Sequence, residues 1–149
     1  MLDVFLIIII LVLFAPCCLI FHELGHVYAA KLVKSDHVEL SIGLGKQIWQ
    51  GQIKGVHMYI QKLFLINSFT SSHRKQPYSK HEKILISVMG PLFSLLLAML
   101  LFIVYGYLYT LPVIYVLHLF NLWVSLVNLI PFKVGQKVSD GYTIYKQLT

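Results

Sequence analysis

Charge is what this sequence has little of. Asp, Glu, Lys and Arg make up 12% of its 149 residues while 58% are hydrophobic, whereas a soluble domain carries roughly 25% charge. That balance excludes an ordinary soluble domain and leaves a membrane protein. Cysteine is nearly missing as well: Cys17 and Cys18 are adjacent inside an apolar run. The pair excludes a disulfide framework and offers no metal-ligand spacing, so both read as lipid-facing or packing residues. Met1 to Asp3 contain no Lys or Arg, so the apolar start lacks the basic head of a cleavable signal peptide. Pro16 stands where a lipoprotein-type cleavage before Cys17 needs a small, unconstrained residue, and the segment is expected to stay.

Long apolar runs are what the sequence has in abundance. Val4–Ala30, Ile84 to about Tyr109 and Val113–Pro131 are each long enough, at about 1.5 Å rise per residue, to cross a hydrocarbon core of about 30 Å as a helix. The expected fold is therefore an all-α membrane protein: one domain, 1–149, of three transmembrane helices, about 4–30, 84–109 and 113–131. Between the first two, "HVELSI" and "GVHMYIQKLFL" alternate apolar and polar residues and are punctuated by Gly43, Gly45, Gly51 and Gly55. They predict a small β-hairpin or strand insertion. "SSHRKQPYSKHEK" reads as a solvated linker, its His73 and His81, like His37 and His57, as surface residues.

All twelve Lys and Arg lie in residues 31–83 or after Pro131. A three-helix path puts both regions on one side of the bilayer, and the positive-inside rule makes that side cytoplasmic. The loop 31–83 and the tail 132–149 are thus expected in the cytoplasm and the N-terminus outside, in a multi-pass protein of a bacterial-type cytoplasmic membrane. The uncharged turn at Thr110–Pro112 is bordered by Tyr105, Tyr107, Tyr109 and Tyr115, which suits an outer aromatic belt. Orientation and attraction to anionic lipid account for the net charge of +6 without nucleic acid.

Against this background "FHELGH", residues 21–26, is costly. An ionisable group within a membrane helix costs roughly 2.5–3.5 kcal/mol even on lenient scales, and three within five residues call for a compensating partner. His22 and His26 are i and i+4, one turn apart on one helix face, where both imidazoles reach a single cation. This is the zinc-binding HExxH spacing. Glu23 projects beside the metal and not onto it, the place for a base acting on water. Gly25 suits either close approach of another backbone or simple helix packing.

A catalytic zinc site takes three protein ligands. "VSDGY" supplies Asp140, which the three-helix path delivers to the membrane face of His26, nine residues beyond Pro131. Asp-Gly also reads as a turn or a helix N-cap before "YTIYKQL", and one residue can serve both purposes. His118 and Asn121 lie toward the outer half of the third helix, where interhelical hydrogen bonding is the expectation. Gly90 and Pro91 suit close helix contact and a local break in hydrogen bonding.

"HELGH", "MGP" at Met89–Pro91, "NLIPFKVGQKVSDG" at Asn128–Gly141 and "VELSIGLGKQIW" at Val38–Trp49 together resemble the site-2 proteases, intramembrane zinc metalloproteases. The resemblance covers nearly the whole chain. It implies that His22, His26 and Asp140 bind Zn2+, that Glu23 is the catalytic base and that Asn128 hydrogen-bonds the substrate or the oxyanion. Two departures stand out. Ser94 occupies a position where the family often has Asn, and "KVGQK" lengthens the interval between Asn128 and Asp140. The expected partners are the lipid bilayer and a membrane-embedded or membrane-bound protein or peptide substrate. Two other classes fit part of the pattern: a non-catalytic zinc-binding membrane protein that binds peptides or partners, and a small transporter or immunity protein. Three helices make only a thin pathway for the latter unless the chain forms a homo-oligomer.

Overall fold

The computed structural model describes every residue except Met1, Ile66, Tyr109 and Gln136. Three helices are long and apolar enough to cross a membrane: α1 (Leu2–Leu32), α2 (Lys80–Tyr107) and α3 (Pro112–Leu129). A shorter fourth helix, α4 (Asp140–Leu148), adds to the three expected spans. It stands where Asp-Gly read as a turn or a helix N-cap before "YTIYKQL". Helix accounts for about 57% of the chain, and a sheet qualifies the all-α label further.

Helix ends follow capping chemistry more closely than hydropathy. α2 begins four residues before the apolar run because Ser79 and Glu82 form a capping box, each side chain accepting from the other's backbone N–H. α1 is closed by Lys34, two residues past its end, whose positive φ of 56° lets Ser35 N–H reach Ala30 O and Lys34 N–H reach Lys31 O, a Schellman closure. Tyr109, counted among the belt tyrosines, lies outside the described residues; Tyr105 and Tyr115 meet across the α2–α3 turn with ring centroids 5.2 Å apart.

Between α1 and α2 lies a four-stranded sheet, β1 (His37–Ile42), β2 (Gln47–Ile53), β3 (Val56–Gln61) and β4 (Ser68–His73), in the order β2-β3-β1-β4. β1 runs parallel to β3 and antiparallel to β4. The alternation in "HVELSI" is realised directly: Val38, Leu40 and Ile42 are buried and pack with Val27 and Ala30 of α1. The tight β2–β3 turn needs positive φ at Lys54 and Gly55, as two-residue hairpins do. Ser71 to His73, expected in a linker, belong to β4. Arg74 is a junction and not a solvated residue, because its guanidinium reaches Val33 O at 2.7 Å and both oxygens of Glu82 at 2.8 and 2.9 Å. Beyond α3, β5 (Lys133–Val134) and β6 (Lys137–Val138) pair as a second, antiparallel hairpin.

α1 and α2 pack closely where both are small. A Cβ on Gly25 would run into the carbonyl of Met89, so the glycine serves close backbone approach, as the sequence allowed. His118 Nδ1 donates to Ala98 O at 2.9 Å, tying α3 to α2, and Asn121 Nδ2 lies 3.1 Å from Cys18 Sγ on α1.

Candidate metal centre

His22 and His26 lie on the face that α1 turns toward α2, and both are buried. Their rings meet edge to face with centroids 5.0 Å apart, and the two Nε2 atoms are 3.2 Å apart. Asp140 joins them from the far end of the chain. Its Oδ2 is 3.2 Å from His22 Nε2 and its Oδ1 3.4 Å from His26 Nε2. One ligand atom from each of the three lies within 4.8 Å of the others, and this is the one such cluster of His, Cys, Asp or Glu among the described residues.

The donor set fits a small tetrahedral cation. Zinc bonds of about 2.0–2.1 Å in tetrahedral geometry set neighbouring ligand atoms about 3.3 Å apart; the two imidazole nitrogens, 3.2 Å apart, match that value, and Asp140 meets them through different oxygens at 3.2 and 3.4 Å. Chemistry agrees with distance. His26 Nδ1 faces Ile86 O at 2.7 Å; a carbonyl only accepts, so Nδ1 carries the hydrogen and the neutral ring offers a lone pair at Nε2. That lone pair faces a second imidazole nitrogen and a carboxylate. A positive charge, proton or metal, has to lie among them. Burial works to raise the Asp140 carboxyl, yet its hydrogen bonds with His22 and His26 outweigh burial and hold it below the ordinary aspartate range.

Neighbours on α2 complete the pocket wall. Gly90 lies directly against the two rings: a Cβ there would stand 2.8 Å from His22 Nε2 and still closer to His26 Nε2. The sequence reading gave Gly90 to helix contact, whereas here the residue facing it across that contact is the cluster itself. Pro91 has no N–H to offer the carbonyl of Ser87, four residues earlier, which loosens the ladder at this level. Ser94, fully buried, places its Oγ 2.9 Å from His22 Nδ1.

Asp140 owes its position to Ser139, which the sequence reading passed over. Ser139 is the N-cap of α4, its hydroxyl accepting from Tyr142 N–H. The same hydroxyl accepts from Phe132 N–H at 3.0 Å and donates to Ile130 O at 2.7 Å, closing the base of the β5–β6 hairpin. Asp140 is therefore the first residue of the helix and not its cap. Gly141 follows because α4 starts against the end of α3, where a Cβ would strike Leu129 O. A serine before an acidic first turn was a readable start signal.

Glu23 is half-buried beside the cluster and not a member of it. Its backbone carbonyl accepts from Thr70 Oγ1 of β4 at 3.3 Å. Asn128 is turned onto its own helix, Nδ2 donating to Val124 O at 2.9 Å, and among the described residues no contact joins it to the cluster. On the outer face of the sheet, His37 Nε2 lies 2.8 Å from Glu39 Oε1, and this hydrogen bond holds the Glu39 carboxyl below its usual value.

No curated protein matches the sequence. The family model for Peptidase family M50 matches residues 5–113, more than two thirds of the chain. That stretch carries α1 with its HELGH, the sheet and α2, and stops before Asn128 and Asp140, whose placement rests on the structure alone. The chain belongs to peptidase family M50, the membrane-embedded site-2 protease family of zinc metalloproteases.

Proposed function

We propose that this protein is an intramembrane zinc metalloendopeptidase, cleaving membrane-embedded or membrane-bound proteins or peptides near the cytoplasmic face. The observation that carries the reading is the meeting of His22, His26 and Asp140 within one ligand sphere, with Glu23 next to it, in a chain of this family. His22, His26 and Asp140 would hold the ion. When bound, zinc supplies Lewis acidity, lowering the pKa of water toward about 7 and polarising a carbonyl. Glu23 takes the proton of the attacking water and returns it to the departing amine. Placement of the Lys and Arg residues supports a cytoplasmic site with the N-terminus outside, in a bacterial-type membrane.

A helical peptide bond is shielded, so the substrate has to be extended at the cleavage point. The sheet order leaves one edge of β4 unpaired, and Thr70 on that strand touches the backbone of Glu23. A strand added there runs beside the base. Asn128 is assigned to the substrate or oxyanion, which requires its amide to leave Val124 O when substrate binds.

The test is Glu23→Gln in the full chain, purified in detergent and also co-expressed with candidate membrane-peptide substrates. The expected result is full zinc content with cleavage abolished. Undiminished cleavage, or a partner-binding activity that survives intact with no cleavage in wild type, overturns the protease reading.

A further inference from the structure

The two ligand histidines are held from behind in different ways. His26 Nδ1 faces a backbone carbonyl, Ile86 O, which can only accept, so the tautomer that frees Nε2 is built into the fold. His22 Nδ1 faces the hydroxyl of Ser94, which can accept or donate. If the hydroxyl donates, the hydrogen of neutral His22 moves to Nε2 and the ring cannot ligate. If it accepts, Nδ1 keeps the hydrogen and Nε2 offers its lone pair to the cluster.

We infer that Ser94 is the positioning residue of this centre: its Oγ accepts the Nδ1 hydrogen of His22, fixing the ring and the tautomer that bind the metal. Three observations support the assignment. Ser94 has no exposed surface, so water does not replace its hydroxyl cheaply. Among the described residues the 2.9 Å contact is the one hydrogen bond of His22 that points away from the cluster. Gly90, one turn before Ser94, lets the rings lie flat against α2, which brings Nδ1 within reach of so short a side chain. Ser94 therefore does here, through His22, what its departure from the usual asparagine left unexplained. Of the two outer partners, it alone is a side chain, so metal affinity in this chain is adjustable by substitution at position 94 and not at position 86.

This inference rests on the zinc reading of the site, and the experiment separates the two. Zinc affinity is measured by chelator competition on the detergent-purified full chain, for wild type, Ser94→Ala, Ser94→Thr and Ser125→Ala. Ser125 is a buried serine of α3 and serves as the control for loss of a buried hydroxyl. Removing an outer partner of a metal-bound histidine lowers affinity by about 10–100-fold. That drop is expected for Ser94→Ala alone, with Ser94→Thr restoring most of it. In metal-free wild type labelled with 15N-histidine, the His22 resonances are expected to show the hydrogen on Nδ1. An affinity of Ser94→Ala equal to wild type, an equal loss in Ser125→Ala, or a His22 ring with no hydrogen on Nδ1 overturns the inference and leaves the zinc reading standing. Should Ser94→Ala not fold, Ser94→Thr and the resonance assignment decide alone. A folded wild type that takes up no zinc overturns both.

Discussion

His22 and His26 ride on one uninterrupted helix, whereas Asp140 arrives by way of a helix end, a hairpin and a single serine cap. The first pair is spaced by helical geometry itself, one turn apart, and any helix through residues 21–26 presents them together. Asp140 has no such guarantee. It depends on Ser139 holding Ile130, Phe132 and Tyr142 at once, and on Gly141 letting α4 sit against Leu129. Local periodicity makes one side of the cluster robust; tertiary packing makes the other side conditional.

Substitutions probe that contrast in descending order of effect. Glu23→Gln belongs to the helical side and touches chemistry alone, so cleavage falls by about 10²–10⁴-fold while zinc content measured by metal analysis stays unchanged. Asp140→Ala removes the conditional ligand, and its loss of zinc affinity exceeds the roughly 10–100-fold of an outer partner; equal zinc in this variant breaks the comparison. Gly90→Ala pushes a methyl into both rings and costs about 1–3 kcal/mol by overpacking, read as a lower unfolding midpoint together with lost zinc.

Ser139→Ala sharpens the contrast most directly. Removing the cap costs about 0.5–2 kcal/mol and displaces Asp140, so zinc affinity falls although both histidines are intact. If affinity holds, α4 is positioned without its cap by the seating of Gly141 against Leu129. The smallest effect belongs to the sheet. Because Glu39 is held below its ordinary carboxyl value by His37, its contribution is in place above the ordinary glutamate pKa of about 4.3 and fades as pH falls below it. The pair is well exposed, so Glu39→Gln shifts stability by no more than about 1 kcal/mol, detected as convergence of wild-type and variant melting curves on acidification.

The same contrast governs what was legible in advance. His22, Glu23 and His26 could be placed on one helix from spacing alone, and the three apolar runs could be found because length and hydropathy are additive along the chain. Burial of Val38, Leu40 and Ile42 followed from alternation. Strand order did not: β1 pairs with β3 and β4 and skips β2, a choice made by how the sheet covers α1 and not by any one strand. Ser94 stood out only as a departure, with no partner assigned, and Ser139 was overlooked, for a related reason. A serine's role depends on which orphan donor or acceptor it meets, and those partners lie 72 residues away in one case and across a hairpin in the other. Gly90 looked like a packing residue, and it is one; what it packs against was invisible.

Arg74 gives the molecule a mechanical consequence. One guanidinium clasps the chain just past α1 through Val33 O and the start of α2 through Glu82, while β4, which ends one residue before Arg74, is stitched into the sheet. The first helix, the sheet and the second helix are thereby tied at one point, and with them both imidazoles and their rear partners, Ile86 and Ser94. Asp140 lies outside this clasp: it is carried by α4 and held through Ser139. The arginine thus couples the carriers of the two imidazoles and leaves the carboxylate to its serine cap.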